Sequence, residues 1–380
     1  MNTSAKPPFY ARTALVFISV FAFVFTLWIG RDIIVPVVYA LLIAVLLNPF
    51  VNFLLRKKVN KVIAITLTVS LAVLAVVAAV YLISSQLSIF NEAYPRLKEK
   101  LDVITNSTVQ WVSEKFNIRL SKINAWIAET QKGVIRDFAI AETLSDAGQV
   151  MVTVMLLPVY VFLFLYYKTL LLEFIRRLFR SAHHMVVADV LINTKRIAQS
   201  YLLGLFFEML IMAVLNSAGL LLLGIEYAIL LGIIGAVLNV IPYLGGIIGV
   251  LLYMTIALIT KSPVYVIYVA ALYATIQFID NNFIVPRIVA ARVKLNALIS
   301  IIVVLIGSAL WGVSGMFLSI PLTAIMKGIF DHIEPLKPWG FLMGNIVPTN
   351  SRFSFAKKKE NHKAGNASAP PLLSSNYLLK

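Results

Sequence analysis

Asp280 lies in Gln277-Phe278-Ile279-Asp280-Asn281-Asn282, late in an otherwise apolar run. A carboxylate inside hydrocarbon is costly, and such groups mark ion or substrate pathways. Gln277, Asp280, Asn281 and Asn282 together offer oxygens enough to coordinate a cation or hydrogen-bond a solute. The plainer alternative is that they pair with neighbouring helices or sit among headgroups. Glu208 is a second acid within an apolar run, and Asn216 follows it two turns later. A carboxylate that exchanges a proton for Na⁺ needs only partial burial and a few oxygen neighbours. Glu226, just after Gly224, reads instead as a solvated charge at a membrane boundary.

Two breaks in apolar sequence supply the other candidates. Asn239 precedes Pro242-Tyr243-Leu244-Gly245-Gly246, and Trp311-Gly312-Val313-Ser314-Gly315 interrupts a later run. Asn239 either serves such a tip or caps a helix end. Glycine lets the backbone approach a ligand closely, and broken helix ends present free amides and carbonyls. Pro242, Gly245, Gly246, Gly312, Ser314 and Gly315 therefore join the acids and amides as candidate substrate- or ion-binding residues.

Other chemistries are poorly provided for. No serine–histidine pair, zinc motif or phosphate loop occurs in the apolar portion, so neither catalysis nor direct ATP drive is expected. The absence of cysteine excludes disulfides, thiolate catalysis and cysteine metal sites. His183 and His184 are adjacent and point to different helix faces, which does not suit a metal. The expected cofactor set is empty, with H⁺ or Na⁺ as the coupling ion.

The elements that must position these residues are membrane helices. Of 380 residues, 60% are hydrophobic and 13% charged, against roughly half and a quarter in soluble chains. The apolar residues also come in runs of bilayer length. Six such runs, at about 12–30, 33–55, 62–84, 149–167, 201–224 and 264–288, predict full spans. The first reads as a retained span, because no small-residue cleavage site follows Ile29. The expected fold class is an all-α polytopic membrane protein with two further broken segments.

Those segments, Tyr227–Thr260 and Leu295–Met326, are too long for one upright crossing, and each is interrupted midway. Each half has ~16 residues, or ~25 Å of helix, short of a ~30 Å core. Bases set the direction. Arg56, Lys57, Lys58 and Lys61, and later Lys168, Arg176, Arg177, Arg180, Lys195 and Arg196, mark the cytoplasmic side. A single crossing by Tyr227–Thr260 would strand Arg287, Arg292 and Lys294 outside; a hairpin keeps them inside. Two short complete crossings per segment satisfy the charges equally. The short halves and central breakers favour hairpins, one from each face. Such inverted units commonly enclose a transport site at the midplane.

Five regions follow: 1–84 with spans one to three, an extracytoplasmic helical segment at 85–148, span four with an amphipathic cytoplasmic linker at 149–200, a core at 201–340, and a disordered cytoplasmic tail at 341–380. The net charge is +16, yet segment 85–148 holds eight acids and eight bases and is neutral. The excess lies beside span ends, which suits the positive-inside rule and not a nucleic-acid surface. Leu97, Leu101, Ile104, Thr108 and Trp111 form a helical seam, expected to pack on its own neighbours or, alternatively, between protomers.

In this order, several short pieces resemble the autoinducer-2 exporter (AI-2E) family of bacterial membrane transporters, over about residues 10–340. They are Leu47-Asn48-Pro49, Tyr201 with Gly204, Tyr227-Ala228 with Leu231-Gly232, Ile241-Pro242-Tyr243-Leu244-Gly245, Asn282-Phe283-Ile284-Val285-Pro286, and Gly312 with Gly315 before Ile320-Pro321. Gly246 stands where many members have proline, Asn296-Ala297 where histidine–proline is usual, and Glu226 where proline is common. The resemblance implies transport. Members differ in cargo, some being linked to a quorum-sensing signal and others to Na⁺ or Li⁺ exchange for protons.

The expected function is secondary-active export of a small solute or signal molecule, driven by a proton or sodium gradient. A Na⁺(Li⁺)/H⁺ antiporter is the first alternative. A membrane scaffold or sensor binding a partner through 85–148 is the second. Expected partners are the bilayer, a small-molecule or cation substrate and further copies of the chain in a homo-oligomer; nucleic acid is not among them. The expected location is the bacterial inner membrane, with both termini cytoplasmic.

Overall fold

The computed structural model describes residues 8–137, 147–241, 244–288 and 295–345. It is all-α, and no strand occurs among the described residues. Six helices are long and apolar enough to cross a membrane, or seven if one bent pair counts as a single span. The chain is thus a multi-pass membrane protein.

Helices α1 (Phe9–Ile29) and α2 (Arg31–Arg56) are separated only by Gly30. None of the α1 side chains is buried; Phe17 and Phe21 are each 71% exposed, as a lipid-facing helix requires. Asn60 starts α3 (Lys61–Phe116) by accepting a hydrogen bond from the Val62 amide at 2.9 Å. Asn117, in the left-handed region at φ 54°, ends it. Between them α3 runs for 56 residues without a break. That is ~84 Å of helix, nearly three times the hydrocarbon thickness. The third span therefore does not stop near residue 84 but continues as a rod into the polar segment, and α4 (Leu120–Asp137) follows and contacts it.

The expected seam is only partly covered. Leu97 is buried at 7% and Ile104 half-buried, whereas Leu101 and Thr108 are exposed and Trp111 is 59% exposed.

Helix α5 (Ala147–Tyr166) packs with α2 and α3 around Ala40, Ala44, Val51, Ala64, Ile65, Val161 and Leu165. Small residues let these helices approach closely, which is how association proceeds where lipid is as apolar as the side chains. A 62° bend then leads into α6 (Lys168–Leu178), whose Leu170, Phe174 and Leu178 remain exposed. The amphipathic linker expected after span four, up to residue 200, is divided. Helix α7 (His184–Leu222) already includes its second half and runs on into the fifth span.

The first broken segment is two helices, α8 (Ala228–Asn239) and α9 (Leu244–Thr260). Glycines let them fold together: a Cβ on Gly245 would overlap the Leu238 carbonyl, and one on Gly249 would sit 3.7 Å from the Gly235 Cα. Pro242 and Tyr243 lie outside the described residues. After α10 (Pro263–Ile279) comes a π turn, Asp280–Ile284, and a short helix α11 (Val285–Ile288).

The second broken segment lies in α12 (Ala297–His332). It is long and apolar enough for one span, but Trp311 (φ −134°) and Gly312 (φ 59°, ψ −139°) are not helical. Gly307 and Gly315 would be ~12 Å apart along a straight helix. Here a Cβ on either would overlap the carbonyl of the other. The segment is folded back on itself, as a hairpin. Asn296 caps its first arm by accepting from the Ile299 amide at 2.9 Å, and donates to the carbonyl of Leu342, in the last turn of α13 (Lys337–Met343), and to that of Gly344, just past it.

Candidate functional site

Helix α7 buries one stripe, Ala198, Tyr201, Gly204, Glu208, Met212, Asn216 and Gly219, at spacings of three and four. The 3.6-residue pitch puts them on one face, which turns Glu208 inward. Glu208 is 7% exposed. On α10, Tyr273, Gln277 and Asp280 fall at i, i+4 and i+7, again one face. Asp280 is 1% exposed and opens the π turn. Such turns insert an extra residue and often accompany functional sites.

The end of α8 joins the two acids. The Asn239 side-chain amide donates to Glu208 Oε1 at 3.4 Å and to Asp280 Oδ2 at 3.4 Å. Gln277 Nε2 donates to the same Asp280 oxygen at 3.5 Å. These are long bonds, near the outer limit of useful geometry. Asp280 Oδ1 and Gln277 Oε1 are buried and take no partner among the described residues. Gly246 opens space beside them. A Cβ there would overlap the Tyr273 hydroxyl and lie 3.8 Å from both Asn239 Oδ1 and Gln277 Oε1.

The result is a nest of oxygens with two carboxylates and no ion pair to a basic side chain among the described residues. Two negative charges at low dielectric require compensation. Protons or a cation can provide it.

Not every candidate joins this nest. Asn281 and Asn282 are exposed, and Asn282 donates back to the Phe278 carbonyl at 2.8 Å. Consecutive residues on a helical path turn by roughly 100°, so Asp280 cannot share its face with both. Of the polar quartet, only Gln277 and Asp280 point in. Asn216 is buried at 3%, two turns from Glu208, without a hydrogen bond to the carboxylates among the described residues. Gly245 serves the close approach of α8 and α9.

Gly312, Ser314 and Gly315 belong elsewhere. Their hairpin tip is held by α1 and α2: Trp311 Nε1 donates to the Leu27 carbonyl at 2.9 Å, and the Tyr39 hydroxyl to the Ser314 carbonyl at 3.4 Å. The connection to the acids runs through α7. Tyr201 is buried against Val304, Ile320 and Ala324 of α12, two turns before Glu208. Glu226 is exposed, as a boundary charge should be.

Two tyrosines, Tyr253 and Tyr273, escaped sequence reasoning. Tyr253 of α9 is 2% exposed, and its hydroxyl occupies the space that Gly235 leaves free. Its ring meets that of Tyr273 edge to face at 6.3 Å. The spacing of Tyr273 to Gln277 and Asp280 was a readable signal; nothing local distinguishes Tyr253.

The family described as AI-2E family transporter matches residues 17–334. YhhT of Escherichia coli (strain K12) is 26% identical over 299 residues, covering 78% of this chain and 84% of that protein. The AI-2 transport protein TqsA of the same organism is 25% identical over 304 residues, 78% and 85% of the two chains. YrrI of Bacillus subtilis (strain 168) is 33% identical over 132 residues, 35% of this chain and 37% of that one.

Proposed function

Because the chain belongs to the AI-2E family of membrane transporters, we propose that it is a secondary exporter of a small solute, with the Glu208–Asn239–Asp280 nest as its coupling site. The family is one of transporters and not of enzymes. The observation that carries the proposal is the single amide bridging two buried carboxylates from separate helices. The amide sits at the end of a hairpin arm, so a change of charge on either acid alters what holds that arm. A proton or Na⁺ entering the nest and leaving on the other side would drive such a change.

The cargo proposed is a small polar signal molecule, a reading supported by the name of TqsA, an AI-2 transport protein. The location proposed is the bacterial inner membrane, with the basic α2–α3 turn and both termini cytoplasmic. The all-oxygen nest also favours a second reading, a Na⁺(Li⁺)/H⁺ antiporter in which the cation is itself the cargo.

Purified protein in liposomes, loaded with a pH-sensitive dye, tests both. Imposed Na⁺ or Li⁺ gradients should move protons under antiport, whereas under export proton movement should require the organic solute. Asp280→Asn should abolish either response. Proton movement unaffected by Asp280→Asn would remove the nest from the mechanism.

A further inference from the structure

A second polar cluster lies away from the nest, at the end of the α2–α3–α5 bundle. Lys168 Nζ donates to Asn48 Oδ1 at 2.9 Å. Lys61 Nζ donates to the Tyr166 carbonyl at 2.8 Å and stands 4.8 Å over that residue's ring. Lys61 is thus anchored at Tyr166, two residues before Lys168. Lys168 lies past the end of α5. Its burial, then the charges of Lys195 and Lys61, hold its ammonium below the ordinary lysine range. None of the three lysines has a carboxylate partner among the described residues. The acid nearest in sequence, Glu173, is engaged by Arg176 and Arg177.

Asn48 supplies the second observation. It is 5% exposed, and its Nδ2 has no hydrogen-bond partner among the described residues. An ammonium only donates, so the amide oxygen must face Lys168 and the amide nitrogen must turn away. A buried, unused donor beside converging positive charges is costly unless an acceptor reaches it. A negatively charged acceptor answers both problems at once. The bend into α6 and the exposed Leu170, Phe174 and Leu178 put the cluster at the level where a helix lies on lipid.

We propose that Asn48, Lys61, Lys168 and Lys195 form a binding site for a phosphate group at the membrane surface. The donor set suits a phosphodiester or phosphate oxygen: one neutral amide for orientation and ammonium groups as point charges. The group could arrive on an anionic phospholipid or as free phosphate. The site is independent of the cargo and of the carboxylate nest.

The full-length protein in detergent tests it, through its thermal unfolding midpoint with added phosphatidylglycerol, phosphatidylcholine or inorganic phosphate. Phosphatidylglycerol should raise the midpoint at lower concentration than phosphatidylcholine. Asn48→Leu and Lys195→Gln should each shift that concentration dependence about tenfold upward. Inorganic phosphate producing the same rise, with the same sensitivity to the variants, supports the site and assigns it to the free anion. Equal responses to both lipids with none to phosphate, or unchanged responses in the variants, overturn it. Should Asn48→Leu fail to fold, the exposed Lys195→Gln decides alone.

Discussion

Asn239, the last residue of one hairpin arm, donates to Asp280, the first residue of a π turn, across 3.4 Å. The bond ties a re-entrant-length element to a full span at the one place where both carry polar side chains. Asn239→Leu removes the donor to both acids and leaves them without a shared partner. Coupled transport in liposomes should fall at least tenfold, and stability by about 1 kcal/mol, since each bond is long. Flux and thermal unfolding measured on the same preparation check this; loss of stability without loss of flux would make Asn239 a structural residue only.

The glycine contacts of the two hairpins differ in tightness. A Cβ at Gly315 meets the Gly307 backbone, which cannot swing aside, whereas one at Gly249 finds ordinary contact distance from Gly235. Gly315→Ala should cost about 2–3 kcal/mol. Gly249→Ala should cost nothing and gain from the better helix propensity of alanine. Unfolding midpoints of the two variants in one detergent give the comparison.

The chain has no cysteine, so single cysteines can report the side from which each tip is reached. Leu244, 41% exposed, and Val313, 64% exposed, are better positions than the packed Gly245 and Gly315 close by. Leu244→Cys should react with an impermeant reagent from the outer face and Val313→Cys from the inner face. Reaction of both from one side only, in every gradient condition, removes the inverted arrangement.

On α6, hydrogen bonds from Arg176 and then Arg177 hold the exposed Glu173 carboxyl down to about 2, from an ordinary 4.5. A depressed folded value means the contribution is complete above about 4.5 and is lost as pH falls towards about 2. Amide protection across Lys168–Leu178 should therefore weaken in that window, and Glu173→Gln should flatten the pH dependence.

The sequence made the helical class and both hairpins legible because glycine at a break and bases at span ends are local signals. Asp280 and Glu208 stood out as acids in apolar runs. What joins them did not. Which of Gln277, Asp280, Asn281 and Asn282 face inward depends on the phase of a π turn, and no residue type announces one. The partner of the second hairpin tip was hidden for another reason. Trp311 bonds to Leu27, 284 residues away, and apolar helices carry no mark of their neighbours. The length of α3 was obscured by composition: hydropathy ends near residue 84 while helix propensity does not, and Pro95 is accommodated within it.

That unbroken α3 has a mechanical meaning. Phe90 meets Tyr227 edge to face at 5.5 Å, and Leu97 is buried with Ile225 and Ala228 where the first hairpin begins. A stiff lever that is seated in the bilayer at one end and touches the hairpin near its middle cannot tilt without pushing it. Whatever grips the far end of α3 thereby has a handle on the hairpin, without ever entering the membrane.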